Sequence, residues 1–251
     1  MQEYPEEALI SVKQVADLVN PERYQDILES MIRIPSLSGE EAELARWMAD
    51  HLREVGVETV EVDRGNNVVA HFGTGPRRLL ISAHTDTMQP HLDMSDPYNP
   101  RAEGQEGSRK VYGLGAASTK ACLASILEAI TILSSMDVPL PTTTFLGVAC
   151  DLHPTRHGIK EAFQLHDFKA EAVLVGEPTD LRIGLGARGY THIDVTFKGK
   201  PHHAGRPDQS KNPVAGAAAF LETVLSQPLP EHPLLGSATV TPIECDSEGQ
   251  R

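Results

Sequence analysis

Residues 77–87 read RRLLISAHTDT, a mostly apolar run that ends in a histidine, a threonine and an aspartate. A strand covered by helices on both faces needs apolar side chains on both, whereas a half-exposed strand alternates. The run 78–83 therefore predicts a central strand of an α/β sheet, and the polar triplet marks its carboxyl end. Working outward, VETVEV (57–62) and NVVAHF (67–72) predict two strands before it. TTTFLGVA (142–149) and EAVLVG (171–176) predict two more buried strands after it. Between them lie helical periodicities. Asn20-Pro21-Glu22 gives a cap and a first-turn proline, followed by Tyr24, Ile27, Leu28 and Met31 on one stripe. Ser38-Gly39-Glu40-Glu41 predicts a capping box ahead of the stripe Leu44, Trp47, Met48, Leu52 and Val55, with Gly56 as the stop. Leu123, Ile126, Leu127, Ile130 and Leu133 mark a third helix. Helices alternating with apolar strands predict a doubly wound sheet, whose ligands gather at the carboxyl ends of its strands.

The texture changes after residue 184. YTHIDVTF (190–197) alternates as a half-exposed strand, 213–226 has the composition of a helix, and ATVTPIE (238–244) predicts another strand. We expect a catalytic-type α/β domain over 1–184 and the first part of a smaller α/β unit over 185–251. The chain stops abruptly at CDSEGQR, which raises the expectation of a truncated product.

Composition narrows the partners. A net charge of −13 disfavours nucleic acid and anionic membrane surfaces, both of which reward positive charge. Cys122, Cys150 and Cys245 are odd in number and widely spaced, so they suggest no disulfide framework. MQEYPEEALI lacks the basic-then-apolar plan of a secretory signal, and no apolar run reaches the length of a membrane span. A cytoplasmic protein is the expectation.

Chemistry could reside at several strand ends. One residue separates His84 from Asp86, which puts both on one side of an extended chain. The imidazole can then bind a metal while the carboxylate orients it. Ser118, in YGLGAASTK (112–120), lies where a glycine-rich turn enters a helix. It lacks the G-x-S-x-G elbow of a serine nucleophile, and a helix-capping serine is the plainer reading. Cys150-Asp151-Leu152-His153 and Gly176-Glu177-Pro178-Thr179 follow the strands 142–149 and 171–176. Singly, each of these groups reads as structural. Together they outline a metal-site architecture. Gly184-Leu185-Gly186-Ala187-Arg188-Gly189 spells a dinucleotide fingerprint but runs towards a predicted strand, not into a helix that could hold a pyrophosphate, so a nucleotide site is rejected.

With these pieces in order, the chain resembles the co-catalytic zinc aminoacylase and carboxypeptidase family, which includes acetylornithine deacetylase, succinyl-diaminopimelate desuccinylase and glutamate carboxypeptidase. The resemblance rests on IPSLSGEE, NNVVAHFGTGPRRLLISAHTDT, YGLGAASTK, GEPTD and GKPHHAGRPDQSKNP in order along the chain. It implies a zinc-hydrolase-type mixed sheet with a smaller lid that mediates dimerisation, and hydrolysis of an amide bond in an acylated amino acid or small peptide. It also implies two zinc ions ~3.5–4 Å apart, the arrangement that clamps attacking and leaving oxygens. His84 matches a zinc ligand, Asp86 the acid that orients it, Glu177 a terminal zinc ligand, and His203 the lid histidine that polarises the substrate carbonyl.

Other positions depart from the family pattern. Ser118 falls where the bridging aspartate is expected, Leu152 on the general-base glutamate, and His153 on a neighbouring zinc-ligand glutamate. The family's last zinc histidine would lie beyond residue 251. These departures predict at most one zinc or other divalent ion per chain, held by His84, His153 and Glu177. Three readings follow: an amidohydrolase with a rearranged site, a non-catalytic relative that binds a ligand or another subunit, or a fragment of either. In each, the lid makes the chain a homo-oligomer, and neither nucleic acid nor membrane is a partner.

Overall fold

The computed structural model describes residues 12–105, 109–136, 138–152, 157–184, 189, 191, 193–200, 211–228, 230–233 and 236–237. Two compact units divide the chain, Met1–Arg182 and Ile183–Arg251.

The first unit is built on a five-stranded sheet. Its strands are β1 (Thr59–Val62), β2 (Val68–Phe72), β3 (Gly75–His84), β6 (Pro141–Val148) and β7 (Ala172–Val175), ordered β1-β2-β6-β3-β7. A small antiparallel ribbon, β4 (Arg101–Glu103) with β5 (Lys110–Tyr112), lies in the connection after β3. β1–β2 and β2–β6 pair antiparallel, and β6–β3 and β3–β7 pair parallel. The sheet is therefore mixed. Its parallel part directs the carboxyl ends of β6, β3 and β7 to the same edge, with His84 beside Val148 and Ser82 beside Val175.

After a short α1 (Val12–Ala16), helices α2 (Pro21–Arg33), α3 (Ala42–Glu54), α4 (Thr119–Ser134) and α5 (His157–Leu165) complete the unit. Strand alternation sorts the core into two layers. Val68, Ala70, Ala83 and Phe145 pack with Ile27, Met31, Leu44, Met48, Leu52, Leu123 and Leu127 from α2, α3 and α4. Their neighbours Val69, Leu80, Leu146 and Val148 pack on Ala162 and Ile159 of α5. Helices thus cover both faces, as the apolar strands require. α2 begins as its sequence predicts, with Pro21 in the first turn and the Asn20 side chain accepting from the amides of Glu22 and Arg23.

Three local expectations are corrected. Ser38 does not cap α3: that helix starts at Ala42, Glu41 occupies its cap position, and no cap side-chain bond forms. The Ser38 hydroxyl instead donates to the carboxylate of Asp86. β7 is not buried; all four of its residues are exposed, and it forms the edge of the sheet among the described residues, paired only with β3. In the second unit, the described residues of 190–197 form no strand. That unit does contain the expected helix, α6 (Pro213–Ser226), capped by Asn212, and a minimal hairpin of β8 (Glu231–His232) and β9 (Gly236–Ser237). The strand predicted at 238–244 lies outside the described residues.

Candidate functional site

β3 delivers His84 and Asp86 to the carboxyl edge of the sheet, both buried. Nδ1 of His84 lies 3.0 Å from Asp86 Oδ1 and 3.0 Å from the Asp86 carbonyl. Two acceptors on that nitrogen fix it as the protonated one, which leaves Nε2 with its lone pair. Nε2 lies 3.6 Å from Glu177 Oε1. Glu177 reaches this place because Gly176 allows the turn after β7 to close on α4. A Cβ at Gly176 would stand 2.9 Å from Cδ1 of Ile126 and 3.3 Å from Cβ of Ala83.

The other carboxylate oxygen of Asp86 is also held. Oδ2 accepts from Ser38 Oγ at 2.6 Å and from the Leu152 amide at 2.8 Å. Burial would raise the pKa of Asp86, but the bonds from His84, Ser38 and Leu152, together with the His84 charge, outweigh it and hold the carboxyl below its ordinary range. Burial would likewise lower the pKa of His84. The hydrogen bond and charge of Asp86, with further negative charge from Glu177 and Asp151, reverse that and raise it.

Alternation along a strand would turn the Asp151 side chain away from that of its neighbour Leu152. β6 ends at Val148, however, and Cys150 takes the left-handed conformation with φ 53°. The alternation argument does not extend past the end of a strand. The Asp151 charge accordingly bears on His84. Cys150 is buried, and desolvation with the charges of Glu41, Asp86 and Asp151 pushes its thiol up to about 11, which makes it inert as a nucleophile.

Ser118 ends the glycine turn before α4. Gly115 there has φ 85°, and a Cβ on it would meet the Lys120 side chain at 2.9 Å. Ser118 is exposed at the cap position of α4 and makes no side-chain cap bond, so the capping role expected of it is not realised. Lys120 is wholly buried and donates to the carbonyls of Met31 and Ile34, each at 2.8 Å; desolvation lowers its pKa to about 8. His153 and His203 lie outside the described residues. The structure thus brings together His84, Asp86 and Glu177. It adds Ser38, which the sequence had offered as a helix cap, and the Leu152 amide, both bonded to Asp86.

The donor set can be tested against a metal centre. Two donors each ~2.1 Å from one tetrahedral zinc stand about 3.4 Å apart, and the 3.6 Å between His84 Nε2 and Glu177 Oε1 matches that spacing. Among the described residues, no group of three or more His, Cys, Asp or Glu side chains is arranged to hold a metal.

Comparison with known proteins agrees with this architecture. The pattern of peptidase family M20/M25/M40 matches residues 80–241. The uncharacterised protein YgeY of Escherichia coli is 28% identical over 225 residues, which cover 85% of this chain and 54% of YgeY. Acetylornithine deacetylase of Aliivibrio fischeri is 29% identical over 201 residues, covering 75% of this chain and 52% of the enzyme. The chain thus spans about half the length of the curated relatives it matches. Among solved structures, a tripeptidase of Staphylococcus aureus superposes with a TM-score of 0.56 at 17% identity, covering 84% of this chain and 58% of that one, which speaks to the fold.

Proposed function

The chain belongs to peptidase family M20/M25/M40, and from that premise we propose a site for an N-acylated amino acid or small peptide in which amide hydrolysis is lost or strongly reduced. The observation that carries the proposal is the contrast within one site. Asp86, His84 and Glu177 keep a joined acid–imidazole–carboxylate arrangement. The positions that should bridge two ions and take a proton from water are Ser118 and Leu152. A neutral hydroxyl cannot offset the repulsion of two divalent cations. An alkyl chain cannot accept a proton, a role usually worth ~10²–10⁴-fold in rate.

In this reading one divalent ion, zinc by family resemblance, is held by His84 and Glu177 with His153 as third ligand. When bound, it would polarise a carbonyl. Asp86 keeps Nδ1 of His84 protonated and so turns Nε2 outward. His203 adds a donor to the carbonyl oxygen, and residues 185–251 form the lid through which the chain dimerises. The test is elemental analysis after zinc loading and desalting. No more than one equivalent per chain should be retained, lost in His84→Ala and kept in Ser118→Ala. Two retained equivalents would contradict the proposal, and loss in Ser118→Ala would make the serine a ligand.

One observation favours a second reading, in which turnover survives. Asp151 adjoins Leu152 in the turn after β6, and its negative charge contributes to raising the pKa of His84; in this reading it carries the proton that Leu152 cannot. Activity abolished in Asp151→Asn with metal retained would select that reading.

A further inference from the structure

The segment 36–41, between α2 and α3, meets the chain beyond the ends of both β3 and β6. Its Ser36 carbonyl accepts from the Thr87 amide at 2.7 Å, and Leu37 bridges to Thr87. Ser38 Oγ donates to Asp86 Oδ2 at 2.6 Å. Glu41 is 1% exposed and carries its carboxylate inside the fold. Its Oε1 accepts from the amides of Gly39 and Cys150, both at 2.8 Å. Cys150 is the left-handed residue after β6. That conformation is costly for a side chain with a Cβ and persists only where its surroundings hold it. The turn it makes brings the Leu152 amide to 2.8 Å from the same Asp86 oxygen that Ser38 holds.

These bonds form one chain of cause. Glu41 anchors the Cys150 turn, the turn presents Leu152 N–H, and this amide and Ser38 together fix Asp86 Oδ2. With Oδ2 fixed, Oδ1 points at His84 Nδ1. We propose that Ser38 and Glu41 are positioning residues whose role is to set the tautomer and orientation of His84 through Asp86. A capping role does not account for the pattern, since neither side chain bonds to the first turn of α3. The inference rests on the proposed function only in taking His84 as the working group of the site.

The experiment is long-range ¹⁵N–¹H NMR of the histidine-labelled, metal-free protein at alkaline pH, where the imidazole is neutral. The full chain and four variants are compared: Ser38→Ala, Ser38→Thr, Glu41→Leu and Glu41→Gln. The wild type should show His84 protonated at Nδ1. Ser38→Ala and Glu41→Leu should shift the tautomer ratio towards Nε2–H by about tenfold, as loss of a charge-assisted bond would. The conservative variants, which keep a hydroxyl or an acceptor oxygen, should restore Nδ1–H. Zinc affinity should fall by ~10–100-fold in the same two variants and recover in the other two.

An unchanged Nδ1–H signal in Ser38→Ala overturns the proposal, as does a wild type protonated at Nε2. Should Glu41→Leu fail to fold, the Ser38 pair decides alone. A wild type that binds no zinc but shows the expected tautomer shifts would remove the proposed metal function and leave the positioning roles standing.

Discussion

At the scale of single residues, the buried ionisable groups make claims about pH. Lys120 is enclosed with only two carbonyls as acceptors, and its pKa falls to about 8. An unfolded lysine titrates near 10.4. Between those values the unfolded chain binds more protons than the folded one, so stability must rise with pH across that window. The size is on the order of 3 kcal/mol if the shift is fully expressed. Cys150 opposes it above the ordinary thiol pKa, because its folded value is raised to about 11. The cleanest measurement is therefore denaturant unfolding at successive pH values from ~8 to ~9, on the wild type and on Lys120→Met. The wild-type curve should rise relative to the variant; parallel curves would show that Lys120 keeps its proton.

His84, Asp86 and Glu177 were legible from sequence because strand ends in α/β sheets present such groups. Ser38 and Glu41 were misread because S-x-x-E is also the spelling of a capping box, and nothing local says that its hydroxyl has a buried carboxylate from another strand within reach.

At the scale of elements, α2 and α4 are joined by one buried carboxylate. Glu128, with a side chain 4% exposed, accepts Arg23 Nε and Nη2 at 2.5 and 2.6 Å and the Asn20 amide at 2.9 Å. Arg23→Ala leaves that charge buried with a single donor, and breaking a buried pair costs up to ~3–5 kcal/mol. Because Arg23 is partly exposed, about 2 kcal/mol is expected, read as a lower denaturation midpoint. Glu128→Gln should cost less than Arg23→Ala, because it removes the buried charge and leaves the partly exposed Arg23 in reach of water; the reverse order would mean the pair is only a surface contact.

The amphipathic stripes of α2 and α3 were readable, since periodicity reports which face is covered, although Ile32, Ala45 and Ala49 are buried beside the residues it marked. Burial of β7 was not readable. An apolar strand looks the same whether or not another element covers it, and Val173, Leu174 and Val175 are 59%, 55% and 60% exposed. Among the described residues of 190–197 no strand forms; alternation gives a segment two distinct faces but does not by itself make a strand.

At the scale of the whole molecule, that exposed edge has consequences. β7 offers unpaired backbone groups and apolar side chains together, the combination that natural sheets guard against. The 251-residue chain should therefore associate in a concentration-dependent way by light scattering, and Leu174→Lys should reduce it, since edge lysines block strand pairing. A monodisperse wild-type monomer across the concentration range would contradict this. No helix among the described residues is long and apolar enough to cross a membrane.

The central claim is that this chain keeps the frame of a family hydrolase site while Ser118 and Leu152 remove its second ion and its proton carrier. Its most direct test is hydrolysis of N-acetyl amino acids and dipeptides by the unmodified chain, with zinc, cobalt or manganese supplied and with none. The account predicts no turnover above the protein-free rate under any of these conditions. Turnover that scales with protein, survives repurification and disappears in His84→Ala would contradict it.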